Sequence, residues 1–144
     1  GHGMNELELK SNTVLDRYWL QDLNINQILP LPDNEIDFCL IVAGWQYLQY
    51  PEKLSDELSR ILKPNGKLII SFSNRAFWNK SPDIWINSSD DGRIDYVRNV
   101  IVNNGWRVEK IINERTFNKK LFGIITSDSD PFFSLIARNN KSNN

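Results

Sequence analysis

Asp33-Asn34-Glu35-Ile36-Asp37-Phe38-Cys39-Leu40-Ile41-Val42-Ala43 passes from a polar turn into a run that is almost continuously apolar after Asp37. A run of this kind reads as a strand buried on both faces, as in a central parallel sheet. Pro51 then stands near a helix start, where its missing N–H costs nothing. Leu54, Leu58, Ile61 and Leu62 fall on one helical stripe. Lys63-Pro64-Asn65-Gly66 stops that helix, and Lys67 to Ser73 is the next apolar strand. Strand, helix and strand predict a right-handed βαβ unit.

Working outward, Asn5 to Lys10 is a short helical candidate, and Tyr18-Trp19-Leu20 is a short strand leading into Asp22. Downstream, Ile94, Val97 and Ile101 mark a second amphipathic helix that ends near Asn103-Asn104-Gly105. Trp106 to Arg115 and Phe132 to Arg138 are strands joined without a crossover helix, which predicts an antiparallel pair. The linker between them, with Leu121, Phe122, Ile124 and Ile125, reads as a long connection of unspecified form. Residues 1–138 make one domain, and Asn139 to Asn144 reads as a disordered polar tail.

Taken in order, QDLN (21–24), LPLPDNEIDF (29–38), GWQYLQYP (44–51) and ELSRILKPNGKLIISFSNR (57–75) resemble the class I S-adenosylmethionine (SAM) dependent methyltransferases, in particular the type 11 group. The stretches 71–85 and 130–138 resemble a narrower bacterial subgroup. So does GHGMN (1–5), at the segment just after the second strand; alternatively, residues 1–3 are cloning residues. The resemblance implies an α/β, Rossmann-like sheet whose last strand lies between the fifth and the sixth. It also implies a first strand and a glycine-rich SAM loop ahead of residue 1. No G-x-G-x-x-G occurs in the 144 residues, so the expectation is an incomplete sheet, the C-terminal portion of the fold.

The same resemblance supplies site candidates. Asp22 stands where the family accepts a hydrogen bond from the adenine amino group, and the Leu23 N–H where it meets a ring nitrogen. A carboxylate at the carboxyl edge of an α/β sheet suits ligand binding, although an Asx-turn or helix cap explains it equally simply. Met4 suits the adenine face or ordinary packing. Asn5 suits a ribose contact or, more readily, a helix cap. Ala43 and Gly44 leave the fourth family strand beside the cofactor. Gln46, Asn74 and Arg75 are substrate-side candidates, and Trp45 and Tyr47 are packing or lining residues. Asp90-Asp91, with Ser88-Ser89, reads as a helix start rather than a catalytic pair. No catalytic acid or base stands out.

Other chemistries are disfavoured. The sole histidine, His2, and the sole cysteine, Cys39, leave no triad, no Cys-His pair and no histidine-rich metal centre. A lone thiol forms no disulfide framework, which fits the cytoplasm. The net charge of −1 offers nothing to nucleic acid or to an anionic membrane, and no apolar run spans a bilayer. Three functions are weighed. The first is methyl transfer from SAM to an unidentified acceptor, with weak or absent SAM binding by this chain alone. The second is a non-catalytic methyltransferase-like module that binds a partner chain. The third, a nicotinamide-dinucleotide domain, is weaker for want of its fingerprint. An incomplete sheet would leave one edge of Ile36 to Ala43 bare. Self-association, aggregation or a covering segment follows, unless Tyr18-Trp19-Leu20 moves in to pair with it.

Overall fold

In the computed structural model, which describes residues 1–114, 120–121, 124–125 and 130–141, the expected βαβ unit is present. Strand β3 (Ile36–Val42) leads through a single 3₁₀ turn (Trp45–Tyr47) to helix α2 (Pro51–Ile61) and strand β4 (Leu62–Phe72), and β3 and β4 pair in parallel. Before them come β1 (His2–Gly3), α1 (Glu6–Ser11) and β2 (Trp19–Leu20). After them come α3 (Asp83–Ile86), α4 (Asp90–Asn103), β5 (Arg107–Glu114), β6 (Lys120–Leu121), β7 (Ile124–Ile125) and β8 (Phe132–Arg138).

The main sheet has the order β3-β4-β8-β5. β8 inserts between β4 and β5 and is antiparallel to both, as the sequence pattern and the resemblance together predict. Helix α2 lays Leu54, Leu58 and Ile61 onto one face of this sheet, and α4 adds Val97, Val100 and Ile101 to the same core. Each such side chain contributes roughly 1.5–3 kcal/mol on full burial. Ser89 caps α4 by accepting from the Gly92 N–H at 3.1 Å, and Asp90 pairs with the buried Arg93. The 88–91 cluster is therefore a helix start.

Five local expectations change. β3, expected to be buried on both faces, lies at the edge of the main sheet with Cys39 and Ile41 half-buried and Phe38, Leu40 and Val42 exposed. The strand after α2 begins at Leu62, five residues early, because the predicted stop is absorbed into an irregular strand. Asn65 takes φ +65°, and a Cβ on Gly66 would lie 2.9 Å from the Lys63 carbonyl oxygen. Residues 1–20 supply two short strands, not one. Trp19–Leu20 pairs in parallel with His2–Gly3 as a separate two-stranded sheet, so it does not move in against β3. Asn139 is no part of a loose tail. It is buried, its N–H donates to the Gly66 carbonyl at 2.8 Å, and its side chain closes the end of α2. In the connection from β5 to β8, β6 and β7 pair antiparallel. Phe122 and the other residues of 115–119, 122–123, 126–129 and 142–144 lie outside the described residues.

Candidate functional site

Three strand ends converge on one cavity of about 510 Å³. Gly1 to Met4 come from β1 and its flanks, Gln21 to Asn24 follow β2, and Gly44 and Tyr47 follow β3. The floor is apolar, with Cys39 and Ile41 from β3 and Leu54, Leu58 and Ile61 from α2. Ligands of open α/β sheets bind at this edge, beyond the carboxyl ends of the strands.

Four of the six cofactor candidates meet here: Met4, Asp22, Leu23 and Gly44. Met4 is exposed at the mouth. Asp22 is half-buried, and one of its carboxylate oxygens accepts from the Asn24 N–H at 2.8 Å. That is the Asx-turn of the simpler reading, and it fixes the carboxylate's direction. Asn5 and Ala43 do not line the cavity. Asn5 caps α1 by accepting from the Leu7 and Glu8 N–H groups at 3.0 and 3.4 Å. Ala43 takes φ +50° and donates its N–H to the Ser71 carbonyl at 2.9 Å. The strained residue bends the chain off β3 and turns Gly44 inward.

The substrate-side candidates lie outside this cavity, Asn74 and Arg75 on the loop after β4 and Gln46 on the 3₁₀ turn after β3. Gln46 is 3% exposed and donates to the Arg75 carbonyl at 3.4 Å, tying the 3₁₀ turn to that loop. Arg75 Nε pairs with Asp130 at 2.6 Å on the surface. Trp45 is buried in the core. The Tyr47 ring stacks on Phe77 at 6.2 Å, and its hydroxyl accepts from the Phe77 N–H at 3.3 Å.

Two further lining residues, Asn24 and His2, hold the loops together, a role that the sequence did not assign them. Asn24 donates to the Tyr47 carbonyl at 3.0 Å and accepts from the Gln49 N–H at 2.8 Å, joining the loops after β2 and β3. Its place in the QDLN stretch was the available clue. His2 holds the Gln21 carbonyl through Nε2 at 2.8 Å, which ties β1 to the loop that carries Asp22. Burial pushes the Cys39 thiol up to about 11. Among the described residues, no cluster of three or more His, Cys, Asp or Glu could hold a metal ion, and no helix is long and apolar enough to cross a membrane.

A parallel βαβ core and a final strand threaded antiparallel through the sheet define the fold. The fold is that of the class I SAM-dependent methyltransferases, and the family model described as "Methyltransferase domain" matches residues 6–70. Two solved structures share the fold. A chain of the complex between the Haloferax volcanii Trm112 methyltransferase activator and a methyltransferase superposes with a TM-score of 0.68. It is 15% identical, and the match covers 98% of this chain and 71% of that one. The SAM-dependent methyltransferase of Mesorhizobium loti gives 0.63 at 17% identity, over 96% and 78%. In sequence, an uncharacterized protein of Methanocaldococcus jannaschii is 40% identical over 47 residues. That alignment takes in 33% of this chain, and the chain thus spans less than a quarter, 23%, of that relative.

Proposed function

We propose that this chain supplies the adenosine-side half of a site for methyl transfer from SAM. The observation that carries the reading is the convergence of Met4, Asp22, Leu23 and Gly44 on one cavity beyond three strand ends. The residues present suit the nucleoside end of the cofactor. The carboxylate of Asp22 has one oxygen committed to Asn24, and the other would accept from the adenine amino group. The Leu23 N–H would meet the ring, Met4 its face, and Gly44 allows close backbone approach. None of the described residues forms a glycine-rich turn for the methionine end, so on this reading the sheet is incomplete and that end of SAM is held by a further segment. SAM, when bound, supplies the electrophilic methyl group. The chain's part is to position the cofactor and exclude water. Gln46, Asn74 and Arg75 are proposed for the acceptor side, which is their edge of the sheet. The second reading, a module that binds a partner chain without catalysis, draws on the bare edge of β3.

Calorimetric titration tests this. The 144-residue chain is expected to bind SAM more weakly than micromolar. A form that includes the residues encoded ahead of Gly1 is expected to bind it well. No binding by the longer form favours the partner-module reading, and micromolar binding by the shorter chain removes the proposed incompleteness.

A further inference from the structure

The stretch 71–85 carries four aromatic residues, and they divide two and two. Phe72 and Trp85 are buried in the core, edge to face with ring centroids 5.2 Å apart. Phe77 and Trp78, on the loop between β4 and α3, are 65% and 64% exposed. One exposed aromatic is ordinary, whereas two neighbours on a loop that is held in place mark a contact surface.

The turn after β3 holds this loop at three points. Gln46 Nε2 donates to the Arg75 carbonyl at 3.4 Å, and Gln49 Nε2 to the Lys80 carbonyl at 3.4 Å. Between them, the Phe77 N–H donates to the Tyr47 hydroxyl at 3.3 Å. Within the loop, the Lys80 and Ser81 N–H groups both donate to the Phe77 carbonyl, at 2.9 and 3.2 Å. β3 and β4 are parallel neighbours, so turn and loop leave the same carboxyl edge of the sheet. Tyr47 joins the loop to the cavity. It lines the cavity, and its ring stacks on Phe77 with 28° between the planes. Phe77 and Trp78 thus continue outward the wall that Tyr47 begins.

Charge selects the occupant. The Lys80 ammonium lies over the Phe77 ring, 5.3 Å from its centroid, and pairs with no carboxylate of a described residue. Arg75, on the same loop, is already neutralised by Asp130. A cation resting on an exposed ring is weakly held, and an incoming carboxylate can draw it away. We propose that Phe77, Trp78 and Lys80 bind the methyl acceptor, and that this acceptor is a small molecule with a flat aromatic ring and a carboxylate. The word acceptor rests on the methyl-transfer reading; the ring and the charge rest on the loop alone. The ligand ring lies against Phe77 and Trp78, and Lys80 turns to the carboxylate. An aliphatic acid forgoes the stacking, and an amine meets a like charge. An anionic membrane suits the loop less well, because such surfaces draw on clusters of about four to eight Lys or Arg.

NMR titration of the 144-residue chain with 2-naphthoate, without SAM, tests the proposal. Saturable shifts are expected at the Phe77, Trp78 and Lys80 amides and at the Trp78 indole N–H. Phe77→Leu keeps the backbone bond to Tyr47 and should weaken binding about two- to tenfold. It should change the affinity for cyclohexanecarboxylate far less. Lys80→Gln should weaken 2-naphthoate about two- to fivefold and leave 2-naphthylmethanol, which lacks the charge, unaffected. Both side chains are exposed, so both variants should melt close to wild type. Three outcomes overturn the proposal. One is the absence of saturable shifts on this loop. Another is equal losses for the charged and uncharged, or the aromatic and aliphatic, probes. The third is adsorption to phosphatidylglycerol vesicles that Phe77→Leu abolishes, without a 2-naphthoate site. Affinity for SAM is measured separately, so the loop can fail while the methyl-transfer reading stands, and the reverse.

Discussion

The side-chain amide of Asn139 donates to the backbone carbonyl of Leu62 across 3.0 Å, 77 residues away in sequence. The same amide reaches the Ser59 carbonyl at 3.0 Å and the Lys63 carbonyl at 3.4 Å, and its oxygen accepts from the Ser59 hydroxyl at 3.1 Å. These are carbonyls that the end of α2 leaves without helical partners. Asn139→Ala strands them in a buried place, and a loss of about 1–3 kcal/mol is expected in urea unfolding. Asn139→Asp should not rescue it, since an ionised carboxylate cannot donate. A wild-type urea midpoint in Asn139→Ala would contradict this account.

Glu57 links the loop before β3 to α2. Its carboxylate accepts from the Arg60 guanidinium at 2.6 and 2.8 Å and from the Leu29 N–H at 2.6 Å. The Arg60 hydrogen bond, helped by that of Leu29 and opposed by burial, holds this carboxyl below the usual range. A depressed folded pKa stabilises the fold above the unfolded value, about 4.3, and that contribution fades as pH falls through the folded one. Glu57→Gln should therefore be less stable than wild type at pH 7, with the gap narrowing below about pH 4. Urea midpoints across this range measure it, and a constant gap would contradict it.

Cys39 is a quiet thiol. With its pKa raised to about 11, roughly one molecule in a thousand carries the thiolate at pH 8. Alkylation by iodoacetamide at pH 8 should run roughly 200-fold slower than for a free thiol of ordinary pKa. It should still quicken about tenfold between pH 8 and pH 9. A rate that levels off by pH 9 would mean that burial does not control this group.

Asp22 separates structural from binding roles through one substitution. Asp22→Asn keeps an oxygen for the Asn24 N–H and loses the second, so thermal stability should barely change. In a form that binds SAM, affinity should fall by about 0.5–1.5 kcal/mol, roughly two- to tenfold. Unchanged affinity would leave Asp22 as a loop-forming residue only.

Much of the fold was legible because its core elements carry strong periodicity. The Leu54-Leu58-Ile61 and Ile94-Val97-Ile101 stripes each report a buried face and each is buried, whereas the apolar run of β3 predicts burial on both faces and is half-buried on one, at Cys39 and Ile41, and exposed on the other, at Phe38, Leu40 and Val42. What stayed hidden depends on partners far away in sequence. β1 has two residues, too few for any period, and exists through its pairing with Trp19–Leu20. Asn139 looks like the polar residues after it until the end of α2 is brought alongside. At the site, motif order located Asp22 and Gly44, while the joining role of Asn24 depends on the Tyr47 loop lying within reach. Asn5 and Ala43 occur in the right segments, but one serves a helix cap and the other a backbone bend.

The pairing of β1 with β2 bears on the thermodynamics of any ligand held between Asp22 and Gly44. Two strands of two residues each form no independently stable unit. Gly44 leaves the well-packed main sheet, whereas Met4 and Asp22 sit on this small pair. The two sides of the cavity therefore differ in local stability, and the N-terminal side opens at lower cost. A bridging ligand binds productively only to molecules with the pair closed, so its apparent dissociation constant exceeds the intrinsic one by the reciprocal of that closed fraction. Whatever holds β1 in place raises affinity without touching the ligand.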